Sequence, residues 1–200
     1  MKAQPRTSIG VQGVEGSFSE EAAQEFASRH GYEDPELVYL VTSARVLGAV
    51  DAGEVEAGVM AMENAQGGVV IESIYALAGY RCDVIELFHL HVEQSLLGRP
   101  GMTQGDITAI HSHPQALRQC REYLADKFWT RPLIDEDDTA YAAKRLANGE
   151  LAETAAIIGS RRCAELYGLE VLVRGIQDLK NNLTLFLGVR KWRPSRNDQP

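Results

Sequence analysis

The sequence predicts an α/β fold arranged as two lobes, on three observations. Short apolar runs rich in β-branched residues alternate along the chain with stretches of helical periodicity, the pattern of a layered α/β protein. At 200 residues and 44% hydrophobic content the chain can bury one substantial core or two modest ones. A segment that collects glycine, proline and polar residues, LLGRPGMTQGD at 96–106, reads as a crossing between lobes.

In chain order, the first strand is expected near residues 7–12 and leads into GVEGSFSEEAA at 13–23. Gly13 and Gly16 let the backbone turn tightly, and Ser17 and Glu20 have the S-x-x-E spacing of a capping box that opens a helix near 18–30. Such a start is either an ordinary cap or a place where free amides hold an anion. A second helix is expected near 43–52 and a strand near 56–62, which runs into MENAQGGVV at 62–70. Glu63 and Asn64 stand at this strand end, followed by Ala65, Gly67 and Gly68. Polar groups at the carboxyl edge of a sheet are where α/β proteins bind ligands, although an ordinary strand-to-helix loop has the same composition. A helix near 69–79 and a strand near 84–97 precede the crossing.

Beyond the crossing, a strand near 107–111 leads into HSHPQALRQC at 111–120, where Ser112 or His113 caps a helix near 114–127 with Pro114 at its first position. Alone, His113 is weak evidence for a catalytic base. Strands near 131–134, 155–158 and 170–174 alternate with helices near 139–148 and 160–167. The last strand, near 183–189 in NNLTLFLGV, holds Thr184 in an apolar run. Thr184 either serves the strand through its β-branch or, if the strand returns to the first lobe, aims its hydroxyl at a cleft. The terminal RKWRPSRNDQP is expected to be a frayed tail.

Charge and composition narrow the function. A formal net charge of -8 and a pI near 5.2 argue against a nucleic-acid partner, which usually needs a basic face. A small anionic ligand stays compatible where local donors outweigh the global charge. Cys82, Cys120 and Cys163 are far apart, lack C-x-x-C spacing, and read as reduced structural thiols of a cytoplasmic protein. No apolar run approaches the roughly 20 residues that span a bilayer, and the opening residues lack an apolar signal core, so no membrane partner is expected.

Taken together, these stretches resemble the prephenate dehydratase family in order as well as content. The family's G-P-x-G-T-F-S-x-x-A-A looks like Gly13 to Ala23, and its P-I-E-N-S-x-x-G-x-V looks like Met60 to Val70. S-H-P-Q-A-L-x-Q-C matches Ser112 to Cys120 without a change, and D-T-A-x-A-A matches Asp138 to Ala143. A-A-I, Y-G-L and I-x-D-x-x-N-N-x-T-R-F resemble Ala155 to Phe186, so the resemblance covers roughly residues 8–189.

The resemblance implies a two-lobed fold of the periplasmic-binding-protein type II, with residues 1–96 and 184–200 in the first lobe and 97–183 in the second. It implies a homodimer that binds prephenate between the lobes, needs no cofactor or metal, and forms phenylpyruvate for phenylalanine biosynthesis. The catalytic residue of the family is the threonine of T-R-F, which carries over to Thr184 as the hydrogen-bond or proton donor to the departing ring hydroxyl. Substrate contacts carry over to Gly16, Ser17, Glu63, Asn64, Ala65 and Gly68. They carry over equally to Ser112, His113, Gln115, Thr139, Asn182, Leu185 and Phe186.

The chain departs from the family pattern in several places. Leu185 replaces the arginine, Ala65 the serine of E-N-S, and Val14 and Ser17 the early proline and threonine. Leu185 is the serious change, because leucine offers nothing in place of a planar multidentate carboxylate donor. Related non-aromatising prephenate decarboxylases also lack that arginine. Decarboxylation with the ring hydroxyl retained, and binding without turnover, are therefore the alternatives. Lys180 ranks ahead of Arg118, Arg121 and Arg190 as a substitute cation, because it immediately precedes the asparagine pair. The phenylalanine-binding ACT domain common in the family has no counterpart after Phe186, so allosteric inhibition by phenylalanine is not expected.

Overall fold

The structure, a computed structural model, describes residues 6–194. The chain divides into two compact units, Met1–Leu90 with Leu183–Pro200 and His91–Asn182, each an α/β layer with its own sheet. The last strand does return to the first unit.

In the first unit the sheet runs β2 (Glu36–Tyr39), β1 (Ser8–Val11), β3 (Ala57–Asn64), β11 (Leu183–Lys191), β5 (Cys82–His91), with the short β4 (Gly68–Val69) paired to β3. Strand β1 is parallel to β2 and β3, whereas β11 is antiparallel to β3. Both faces are covered, which is why these strands read as near-continuous apolar runs. On one face Ile9, Val59 and Phe186 pack with Phe88 and with Phe26 of α1 (Phe18–Arg29). On the other, Met60, Leu187 and Val189 pack with Leu47 and Val50 of α2 (Ser43–Ala52) and Ala76 of α3 (Ile71–Gly79). Successive residues Val59 and Met60 thus enter opposite layers, as a two-residue period requires. Gly188 is fixed by this packing, since a Cβ there would collide with the Phe26 ring.

The second unit orders its sheet β10 (Glu170–Val173), β6 (Ser95–Gly98), β9 (Ala155–Gly159), β7 (Ala109–Ser112), β8 (Leu133–Asp135). Strand β7 is parallel to β8 and β9, and β6 is antiparallel to β9 and β10. The helices are α4 (Pro114–Gln119), α5 (Arg121–Phe128), α6 (Thr139–Ala147) and α7 (Arg161–Tyr167). Leu96, Ile110 and Ile158 of the sheet bury Leu117, Leu124 and Phe128 of α4 and α5.

Several local expectations change. The strand expected at 84–97 is two strands in two sheets, β5 and β6. Between them Val92 N donates to Asn182 O (2.8 Å) and Gln94 N to Gln177 Oε1 (3.0 Å), which draws the chain into the second unit. The change of unit therefore falls at 90/91, and LLGRPGMTQGD lies wholly inside the second unit. Strand β2 was not foreseen, and Gly68 and Val69 pair as β4 before α3 begins. The helix expected at 114–127 breaks at Cys120, where Asp178 Oδ1 accepts from Glu122 N (3.0 Å) and caps α5 separately. The polar tail extends β11 through Lys191, and its residues from 195 onward lie outside the described ones, as do residues 1–5. No helix among the described residues is long and apolar enough to cross a membrane.

Candidate active site

The centre of the first unit's candidate site is a strand-end pair. The antiparallel register places Thr184 of β11 opposite Asn64 of β3, and Leu185 opposite Glu63, before a bulge between Leu185 and Phe186. Asn64 Oδ1 accepts from the backbone amides of Gln66 (3.0 Å) and Gly67 (2.7 Å). Backbone amides only donate, so these bonds fix the orientation of the side-chain amide and turn its nitrogen the other way. Asn64 Nδ2 donates to Thr184 Oγ1 (2.9 Å) and more weakly to Leu183 O (3.4 Å). Thr184 is thereby an acceptor toward Asn64, and its own O–H has no protein acceptor among the described residues. A buried hydroxyl in that state is a hydrogen-bond donor waiting for a partner.

The neighbours are placed differently. Leu185 is half-buried and, by strand alternation, projects from the opposite face to Thr184, with Glu63 as its cross-strand neighbour. Phe186 is a core residue stacked on Phe88, with ring centroids 5.9 Å apart. Glu63, Ala65 and Gly68 are exposed, and Gly68 has φ 75°, the left-handed turn that leads from β3 into β4.

At the start of α1, Ser17 is the N-cap and its Oγ accepts from Glu20 N (3.3 Å). Glu20 reaches back one residue further than a standard capping box, its Oε2 accepting from the amide of buried Gly16 (2.5 Å). The carboxylate thus occupies part of the anion nest that the spacing suggested. The amides of Phe18 and Ser19 keep no protein acceptor among the described residues.

In the second unit the S-H-P-Q stretch is largely architectural. Ser112 is fully buried and its Oγ donates to Ile158 O (2.7 Å), tying β7 to β9. His113, not Ser112, caps α4, its Nδ1 accepting from Gln115 N (3.2 Å). A neutral imidazole that accepts at Nδ1 carries its proton on Nε2, so His113 presents an exposed N–H. Gln115 accepts from Arg118 (2.6 Å). Thr139 is half-buried in the first turn of α6, behind the cap in which Asp138 accepts from Ala140 N (2.7 Å) and Tyr141 N (3.1 Å). Asn182 is fully buried and donates to Gln119 Oε1 (3.3 Å).

Two side-chain networks in this unit were missed by sequence reasoning. Gln119 Oε1 also accepts from Gln94 Nε2 (2.9 Å), which joins Gln94, Gln119, Gln177 and Asn182 in one buried amide cluster. Gln119 stands within the quoted motif, but its partners lie far off in sequence. The second is His111, Glu136 and Arg145: His111 Nδ1 and Glu136 Oε1 are 2.8 Å apart, and Arg145 Nη1 donates to both carboxylate oxygens (2.9 and 2.6 Å). Burial alone would raise the Glu136 carboxyl, but the hydrogen bonds and positive charge of these partners hold it below the usual carboxylate range. Glu136 N donates to Ser112 O (3.0 Å), so this cluster braces the strand that carries the motif.

Lys180 does not offer a loose cation, because its Nζ donates to Gly175 O (2.7 Å) and Gln177 O (2.8 Å) and staples the loop before Asn182. Among the described residues, no group of three or more His, Cys, Asp and Glu side chains comes together as a metal set.

Comparison with known proteins identifies the family. The prephenate dehydratase family matches residues 9–193. An arogenate dehydratase/prephenate dehydratase of Arabidopsis thaliana is 35% identical over 193 residues, 96% of this chain and 47% of the relative. A bifunctional N-acyl-homoserine lactone acylase/prephenate dehydratase of Komagataeibacter europaeus is 33% identical over 96% of this chain and 65% of its own length. Against the plant relatives the chain spans about half their length. Among solved structures, a prephenate dehydratase of Arthrobacter aurescens in complex with L-Phe superposes with a TM-score of 0.82 at 27% identity, covering 95% of this chain and 62% of that one. The prephenate dehydratase of Staphylococcus aureus, at 21% identity and a TM-score of 0.77 over 96% of this chain and 69% of that one, shares the fold. The chain belongs to the prephenate dehydratase family.

Proposed function

We propose that this chain converts prephenate, or its amino analogue arogenate, to the aromatic product with loss of CO2 and water. The observation that carries this is the Thr184 hydroxyl, held as an acceptor by Asn64 with its proton uncommitted. In the proposed step the C–C bond to the ring carboxylate breaks and its electron pair enters the ring. The C–O bond to the ring hydroxyl breaks as the ring becomes aromatic, and the departing oxygen takes up one proton, supplied in net terms by solvent, and leaves as water. Thr184 hydrogen-bonds that oxygen and lowers the cost of its departure. The Phe18 and Ser19 amides are the donors we assign to a substrate carboxylate. In this proposal Ser112, Gln115, Thr139, Asn182 and Phe186 act by positioning, while Gly16, Ser17, Glu63, Ala65 and Gly68 shape the binding surface. Arogenate enters because the plant relatives carry that substrate in their names.

Leu185 favours the second reading, decarboxylation with the hydroxyl kept, only insofar as an arginine there would touch substrate. Its cross-strand neighbour is instead Glu63, so an arginine at this position would have a carboxylate beside it in the fold itself. Incubation with prephenate and separation of the products by mass tests the proposal: phenylpyruvate supports it, and a dihydro-hydroxyphenylpyruvate that keeps the oxygen overturns it. A homodimer in the cytoplasm completes the proposal. The three cysteines are free thiols, which fits a reducing compartment, and sedimentation tests the dimer.

A further inference from the structure

The second unit carries a cavity of about 570 Å³ formed by α4, α5 and β8, which uses none of the networks described above. Its floor is apolar: Leu117, Leu124 and Phe128 reach it from the core, and Leu133, nearly half exposed, closes one side. Arg121, Leu124, Ala125 and Phe128 recur at helical spacing along one face of α5, while Leu133 and Asp135 alternate along β8, so both elements present coherent faces to the cavity. Trp129, 81% exposed at the end of α5, stands beside this floor.

The rim is cationic in a protein of net charge -8. Arg118, Arg121 and Arg131 line the cavity with Asp135 as the one acidic residue among them. Arg118 is engaged by Gln115, but the guanidinium groups of Arg121 and Arg131 make no ion pair or hydrogen bond among the described residues. Guanidinium groups beside an apolar, aromatic-edged hollow match a ligand with a hydrophobic body and one carboxylate head, and the volume suits a molecule of that size.

We propose that this groove is a binding site for an apolar monocarboxylate, seated on Leu117, Leu124, Phe128 and Leu133, flanked by Trp129, and held at its carboxylate by Arg121 and Arg131. The site is separate from the Thr184 strand pair and does not depend on the reaction assigned to it. Pro114, Leu117 and Arg118 line the groove from α4, the helix that His113 caps.

The test uses 4-phenylbutanoate as probe on the 200-residue chain carrying Trp192→Phe, so that Trp129 is the sole indole. The expected result is a saturable change in Trp129 fluorescence on addition of 4-phenylbutanoate. The neutral 4-phenylbutanamide should bind at least about tenfold more weakly, because it lacks the charge that the arginines recognise. An Arg121→Gln/Arg131→Gln variant, altered only at exposed positions and checked by its melting curve, should lose at least about tenfold in affinity for the acid and little for the amide. Equal binding of acid and amide by the parent chain would overturn the proposal, and so would unchanged acid binding by the arginine variant. Concentration-dependent self-association that quenches Trp129 and excludes the probe would assign the groove to a second copy of the chain instead, and equally overturn it.

Discussion

Replacing Asn64 with aspartate changes one atom of the site and reverses one hydrogen bond. The new carboxylate still accepts from the amides of Gln66 and Gly67, so the turn after β3 is retained. It cannot donate to Thr184 Oγ1 or Leu183 O, and two lost bonds, one of them weak, cost about 1–2 kcal/mol of stability. The larger effect falls on the chemistry. A carboxylate beside Thr184 accepts the threonine O–H, and the proton that we propose donates to the departing hydroxyl is turned away from it. Positioned general-acid help is worth about 10²–10⁴-fold, or about 2.7–5.4 kcal/mol at 1.36 kcal/mol per tenfold, so Asn64→Asp is expected to lose at least about 100-fold in kcat. Asn64→Ala, which removes the constraint without creating a competing acceptor, should lose less in kcat while unfolding more readily. The assay pairs steady-state phenylpyruvate formation with a thermal melt of each variant. Equal kcat for parent and Asn64→Asp would refute the assignment of a donor role to the Thr184 proton.

Other consequences follow from the same geometry. The Glu136 carboxyl lies below its ordinary value of 4.5 in the folded protein, so its contribution to stability is complete above that value and is lost as pH falls through the lower folded value. Acid unfolding should therefore steepen below about pH 4.5, and Arg145→Met should blunt that dependence while costing about 1–3 kcal/mol at neutral pH, read by denaturant unfolding across pH. Ser112→Ala should cost about 0.5–1.5 kcal/mol through the lost bond to Ile158 O and leave KM within about twofold, since that hydroxyl is committed to the sheet. Gly188→Ala should destabilise by about 1–3 kcal/mol, because its methyl group must displace the Phe26 ring; an unchanged melting temperature would contradict the packing. Burial pushes the Cys120 thiol up to about 12, so a thiol reagent at pH 8 should leave it unmodified until the second unit unfolds.

What the sequence revealed and what it hid divide along the range of the interactions involved. Ser17 and Glu20 were legible because a cap is decided within four residues, and the structure shifts only the carboxylate's target, from the cap's own amide to Gly16. That Asn64 and Thr184 belong to one site is an expectation from family resemblance alone. Their mutual hydrogen bond was not legible, because it depends on the β3–β11 register across 120 residues. The amide cluster of Gln94, Gln119, Gln177 and Asn182 joins four polar residues with no shared periodicity, and nothing local distinguishes them from surface glutamines. The two-sheet split of 84–97 was hidden because the apolar run continues into Leu96 and Leu97 while the backbone changes partners at Val92 and Gln94. The break at Cys120 was hidden likewise, since the residue that caps the second helix, Asp178, arrives from 56 positions away.

The most direct test of the account compares the parent chain with Thr184→Val on prephenate, following both product identity and rate. Valine preserves the volume and β-branch that β11 requires, and it removes only the hydroxyl that Asn64 holds. The account predicts phenylpyruvate from the parent, and from a normally folded Thr184→Val the same product at least about tenfold more slowly. Undiminished phenylpyruvate formation by the folded variant, or a parent product that retains the ring oxygen, would contradict it.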